Sequence, residues 1–131
     1  MANRQFQQFQ YSLEKAVVTL FANITIGAAG APTIVAKQNK GIASVVRNSA
    51  GNYTVNLQDR YQYLLFMDSC INLNSGAPSA GTNVTMLVRA DNSASATPNI
   101  QVEFVNAAGT AVDLAAGCTL LLSPQLKNST V

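Results

Sequence analysis

The sequence predicts a mainly β protein: a single-domain antiparallel β-sandwich or barrel preceded by an N-terminal arm. Three observations predict it. Turn-forming residues recur along the chain, at Gly27, Gly30, Pro32, Gly41, Gly51, Gly76, Pro78, Gly81, Pro98, Gly109, Gly117 and Pro124. Between them lie short runs of Val, Ile, Thr, Tyr, Phe and Leu, the residues that fit a pleated, half-buried surface. And 131 residues, 48% of them hydrophobic, are enough for one core of ordinary size without a second domain.

Residues 1–15 form the arm or a short helix, and residues 16–131 the β-rich domain. In the arm, Phe6, Phe9 and Leu13 recur at three- and four-residue spacing among glutamines, which fits either an amphipathic helical turn or an extended segment. Phe6, Phe9 and Tyr11 are costly to leave in water, at about 1.5–3 kcal/mol for each large apolar side chain. The arm therefore either folds back on its own domain or packs on a neighbouring subunit, and these three aromatics are its candidate contact residues.

Seven strands follow, near Ala16–Ile26, Gly41–Arg47, Tyr53–Leu57, Leu64–Leu73, Asn83–Ala90, Ile100–Asn106 and Cys118–Ser123, the pattern of a sandwich or barrel. The second and third make the clearest local signal. Ile42, Ser44 and Val46 alternate against Ala43, Val45 and Arg47, and Tyr53, Val55 and Leu57 alternate against Thr54 and Asn56, with a loop containing Gly51 between them. This is a hairpin with one wetter face. Asp59 then stands where an N-cap belongs, at the head of a short helical turn through Tyr61, Gln62 and Leu64. Two low-charge loops rich in Ser, Ala and Asn, Asn72–Asn83 and Ala90–Asn99, read as connectors that a partner protein or a glycan could also touch. The closing Leu126–Val131 puts an apolar residue after a polar run, and Leu126 and Val131 are a second candidate contact, able to pair with a sheet edge on a neighbour.

Chemistry is constrained by what the chain lacks. It has no histidine and no tryptophan, eight Lys and Arg and six Asp and Glu. Without imidazole there is no Ser-His-Asp or Cys-His relay. Asp59, Asp68, Asp91, Glu103 and Asp113 are the acids from which a glycosidase pair would have to come, but each stands next to a turn or opposite a basic residue, as solvated surface groups do. Zinc-ligand spacing and an Asp-x-Asp calcium loop are missing. Gly27-Ala28-Ala29-Gly30 lacks the lysine of a phosphate loop. The expectation is a protein that is not an enzyme and takes no cofactor.

Cys70 and Cys118 each sit in an apolar run, where a free cysteine behaves as a small buried hydrophobe rather than as half of a disulfide. A formal net charge of +2 spread along the chain gives no electrostatic footprint for nucleic acid. The longest apolar stretches, Ala16–Ile26 and Tyr61–Leu73, are too short and too interrupted for a membrane span. The first residues lack the pattern of a secretory signal, so the protein is expected to be made and used without export.

The string Lys40-Gly41-Ile42-Ala43-Ser44-Val45, followed by Arg47, Gly51, Tyr53-Thr54-Val55, Leu57, Asp59, Tyr61 and Leu64-Leu65, resembles a segment of small structural proteins of tailed bacteriophages. A second stretch, with Val102, Phe104, Gly109-Thr110-Ala111, Asp113, Gly117 and the closing Lys127-Asn128-Ser129-Thr130-Val131, is similar to the C-terminal part of the same proteins. Leu13-Glu14-Lys15 and Gly27-Ala28-Ala29-Gly30-Ala31 also fit. The resemblance implies a virion component made in the host bacterial cytoplasm, of the capsid decoration or cement class. Its partner would be the major capsid protein, and it would act as a homo-oligomer, a trimer above other states. A small tail-associated adaptor or receptor-binding protein is the alternative.

Overall fold

A computed structural model describes residues 17–128. The chain is mainly β, and the described residues form two antiparallel sheets packed face to face. The strands are β1 (Val17–Thr19), β2 (Phe21–Ile26), β3 (Pro32–Lys40), β4 (Ile42–Ser49), β5 (Asn52–Leu57), β6 (Tyr63–Asn72), β7 (Thr85–Asn92), β8 (Asn99–Val105) and β9 (Thr119–Lys127). In the first sheet β9 lies between β6 on one flank and β1 and β2 on the other, with β3 outside β2; the second has the order β4-β5-β8-β7.

The predicted first strand is one ladder with a break. Register is unchanged from Thr19↔Gln125 to Ala22↔Leu122. At the break the Leu20 N–H donates to the Pro124 carbonyl at 2.9 Å, and Pro124 has no N–H to return. Leu20 itself is buried, so the interruption leaves the packing intact.

Alternation along each strand builds the core. Ala22, Ile24 and Ile26 of β2 and Leu120, Leu122 and Leu126 of β9 face Tyr53, Val55 and Leu57 of β5 and Ile100, Val102 and Phe104 of β8 in one buried cluster. The rings of Tyr53 and Phe104 meet edge to face, with centroids 5.6 Å apart and planes at 82°, a favoured aromatic geometry. The predicted hairpin is present as β4 and β5, with Val45 opposite Val55. A bulge between Ile42 and Ser44 shifts the phase of β4, so Ile42 and Val45 point inward while Val46 is exposed.

Two expectations are corrected here. Asp59 heads no helix: Gln58 and Asp59 form a bend, and Tyr63 already opens β6. The segment is tied to the next hairpin by backbone, with the Tyr61 N–H donating to the Ser93 carbonyl at 3.0 Å. β3 was not expected at all; it is an outer strand that begins with proline, a position where the missing N–H costs no ladder bond.

Strand directions give the sandwich two distinct ends. One carries the turns 27–31 and 50–51 and the long connections 73–84 and 106–118. The other carries Gly41, the connections 58–62 and 93–98, and both Val17 and Lys127, which pair with each other.

Candidate interaction surface

The acids are the place to look first for chemistry, and most of them are already engaged. Asp113 accepts two hydrogen bonds from the Arg47 guanidinium, Nε and Nη2 each at 2.8 Å, and a third from the Gly51 N–H at 3.1 Å. The paired hydrogen bonding from Arg47 holds the Asp113 carboxyl below the usual carboxylate range, against the opposing pull of desolvation. Next to it the buried Tyr53 hydroxyl donates to the Gly30 carbonyl at 3.0 Å, and burial raises the phenol pKa. This network ties β4, β5 and two loops together at the long-loop end.

Glu103 accepts from Arg89 at 3.0 Å and from Asn52 at 3.3 Å across the outer face of the second sheet. Asp91 accepts from the Leu64 N–H at 2.9 Å and the Ser93 N–H at 2.9 Å, which holds the start of β6 beside the end of β7. Among the described residues Asp68 meets only the N–H of its neighbour Ser69, at 2.8 Å; it lines a shallow groove of about 280 Å³ with Phe21, Cys70 and Leu121 on the outer face of the first sheet. Among the described residues no three of His, Cys, Asp and Glu gather as metal ligands do, and no helix is long and apolar enough to cross a membrane.

The two cysteines differ. Cys118 is buried, its Sγ 2.9 Å from the Ala115 carbonyl, as its apolar run predicts. Cys70 is exposed, because β6 is an outer strand and its alternation turns Asp68, Cys70 and Asn72 outward. The two polar loops do not meet either: 73–84 lies at the long-loop end, where Pro78, Ser79, Asn83 and Asn106 line an open cleft of about 430 Å³, and 93–98 lies at the opposite end.

Of the predicted contact residues, Phe6, Phe9, Tyr11 and Val131 lie outside the described residues, as does the Ser12-x-x-Lys15 pair, which has the spacing of a Ser–Lys hydrolase motif. Leu126 is a correction. Its side chain is 0% exposed, and its backbone lies inside the sheet, opposite Val18 on one flank and Leu64 on the other. β9 runs through Pro124 to Lys127, so Leu126 belongs to this chain's own core.

What sequence reading missed is an apolar strip along one side of the sandwich. β6 and β7 are the outer strands of their sheets on that side, and they expose Tyr63, Leu65 and Phe66 and, on β7, Val88, with Leu87 beside it on the outer face of the second sheet opposite Glu103; Leu65 and Phe66 are 51% and 56% exposed. Each strand carries an irregularity within the strip, between Leu64 and Phe66 in β6 and between Val88 and Ala90 in β7. A bulge sets two neighbouring residues against one partner residue, so on β6 Leu65 and Phe66 both turn outward where strict alternation would bury one of them; on β7 the irregularity follows Val88, which lies opposite the buried Val102 and is exposed because its strand is the outer one. The signal present in the sequence was Leu64-Leu65-Phe66-Met67, four apolar residues where a half-buried strand needs two.

The described residues thus define a two-layer antiparallel sandwich with its acids largely bound up in structural contacts and an apolar seam between two outer strands. The chain matches no protein-family model, no curated protein and no solved structure.

Proposed function

We propose that this protein is a non-enzymatic structural component of a virion, a capsid decoration or cement protein of a tailed bacteriophage that binds the assembled head through the major capsid protein and acts as a homo-oligomer, most simply a trimer. The observation that carries the reading is the exposed apolar seam of β6 and β7 on a domain whose polar side chains are spent on holding loops in place. Exposed apolar residues grouped along one edge mark contact with another macromolecule. The resemblance of the Lys40–Leu65 string to phage structural proteins supplies the class of partner. Such a protein works by adhesion: binding only the mature shell stabilises that shell by mass action.

Co-sedimentation of the purified protein with heads stripped of it, together with the mass of the free protein, tests this reading. Saturable binding at a fixed ratio to the capsid subunit is the expected result. Retention on tails or host cells with no binding to heads replaces it with the tail-adaptor reading.

A further inference from the structure

The seam needs an occupant, and the position of the chain's first described residue suggests one. Val17 and Tyr63 are both register partners of Lys127, on opposite flanks of β9. Two strand spacings put them about 10 Å apart. The sixteen residues before Val17 therefore start at the same end of the sandwich at which the seam starts, and they carry Phe6, Phe9, Tyr11 and Leu13.

Direction favours the neighbouring copy. β1 runs inward from the sandwich end, with Val17 opposite Lys127 and Thr19 opposite Gln125. The line of β1 extended backwards from Val17 points out of the sandwich, while the seam runs inward from Tyr63 along β6. Covering the seam of the same copy would require the chain to reverse directly before Val17. Residues 13–16, Leu-Glu-Lys-Ala, contain none of the Gly, Pro, Asn, Asp and Ser that dominate such turns. Sixteen residues can span about 53 Å when extended, ample to cross onto a neighbouring molecule.

We infer that the N-terminal segment of one copy docks on the β6–β7 seam of a neighbouring copy, its Phe6, Phe9, Tyr11 and Leu13 covering Leu65, Phe66 and Val88, so that arm exchange links the subunits of the oligomer. The inference rests on the homo-oligomer of the proposed function and adds the two surfaces that make it.

Disulfide trapping between differently tagged chains tests it. Cys70→Ser removes the exposed native thiol from both chains. One chain then carries Phe9→Cys, the other Leu65→Cys or Val88→Cys, and the two are mixed under mild oxidation. The expected result is a mixed-chain cross-link for the seam positions and none for Thr33→Cys, an exposed control on β3 on the far side of the sandwich. In parallel, deletion of residues 2–15 and the substitution Leu65→Asp each reduce the native mass to that of a monomer, with β-sheet circular dichroism retained. A cross-link found only within a chain that carries both cysteines, or an oligomer that survives the deletion, overturns the inference. The same variants in head co-sedimentation keep the two readings apart. Chains that cross-link but never bind heads remove the function and leave the exchange standing, whereas a monomer that binds heads does the reverse.

Discussion

Gly30→Ala is the perturbation whose cost the structure fixes most closely. Gly30 sits at φ +72°, and a Cβ placed there would stand 2.7 Å from the Tyr53 hydroxyl oxygen and 2.9 Å from Asp113 Oδ1. The left-handed backbone costs a non-glycine residue about 1–2 kcal/mol, and inserting a methyl group into filled space costs about 1–3 kcal/mol. The reduced freedom of the unfolded chain returns about 0.4–1 kcal/mol, so a net loss of about 2–4 kcal/mol is expected. Tyr53→Phe removes the hydroxyl that donates to the Gly30 carbonyl and costs about 1 kcal/mol alone. The two changes meet at one point in space, because the methyl group displaces the same hydroxyl. Adding Tyr53→Phe to Gly30→Ala should therefore cost nothing further or restore some stability, with a coupling of about 1 kcal/mol or more. Urea denaturation of the four proteins of the cycle measures this. A Gly30→Ala loss below about 0.5 kcal/mol, or strict additivity, would refute the account of this turn as crowded by Tyr53 and Asp113.

Three further outcomes follow from the same structure. Leu126→Ala should cost about 2–5 kcal/mol in urea, because the side chain lies fully in the core; a loss under about 1 kcal/mol would return Leu126 to the surface. Cys70 should react with a thiol reagent in the native protein, while Cys118, buried and with its thiol pKa raised by that burial, should react only as the protein unfolds; equal native rates would contradict this. The Asp113 carboxyl is lowered in the fold chiefly by hydrogen bonding from Arg47, so the stability it confers is complete above the unfolded carboxyl pKa near 4 and is lost as pH falls through its lower folded value. Asp113→Asn should remove that part of the acid limb of the stability profile, and an unchanged limb would show the pair to be idle.

The fold class and most strands were legible because alternation and turn residues report local geometry directly. Tyr53, Val55 and Leu57, predicted as one face, are one buried face. What escaped was set by tertiary context. β3 contains Lys37, Gln38, Asn39 and Lys40, a polar run that reads as a loop unless its position outside β2 is known. The N-cap reading of Asp59 failed because the backbone of Tyr61 finds its partner in Ser93, more than thirty residues on, a bond with no local sequence signal. Leu126 reads as part of a tail because Pro124 looks like the end of a strand. In the fold its carbonyl still accepts from Leu20, and the ladder resumes beyond it. The β6 half of the seam was hidden for a related reason: a bulge adds one residue between Leu64 and Phe66, and periodicity read from sequence has no marker for where that residue enters; on β7, Val88 alternates as a core residue and is exposed only because its strand is the outer one.

The bulges also bear on how the seam can be used. An outer strand offers unpaired N–H and C=O groups to any added strand, and a bulge is one of the devices that blunt such pairing. β6 and β7 are each interrupted within the apolar stretch, at Leu64–Phe66 and at Val88–Ala90, so neither presents an unbroken row of backbone groups at the place where its side chains are most apolar. Backbone pairing is therefore weakened at the very step where hydrophobic contact is offered, and selection among partners falls to side-chain shape. A segment that docks here would be held by its aromatic and aliphatic residues more than by a ladder. Replacing Phe6 and Phe9 with serine, which leaves every backbone N–H in place, should then abolish docking as completely as deleting the arm; proline at Gln8 and Gln10, which removes two donors and keeps the aromatics, should weaken it far less.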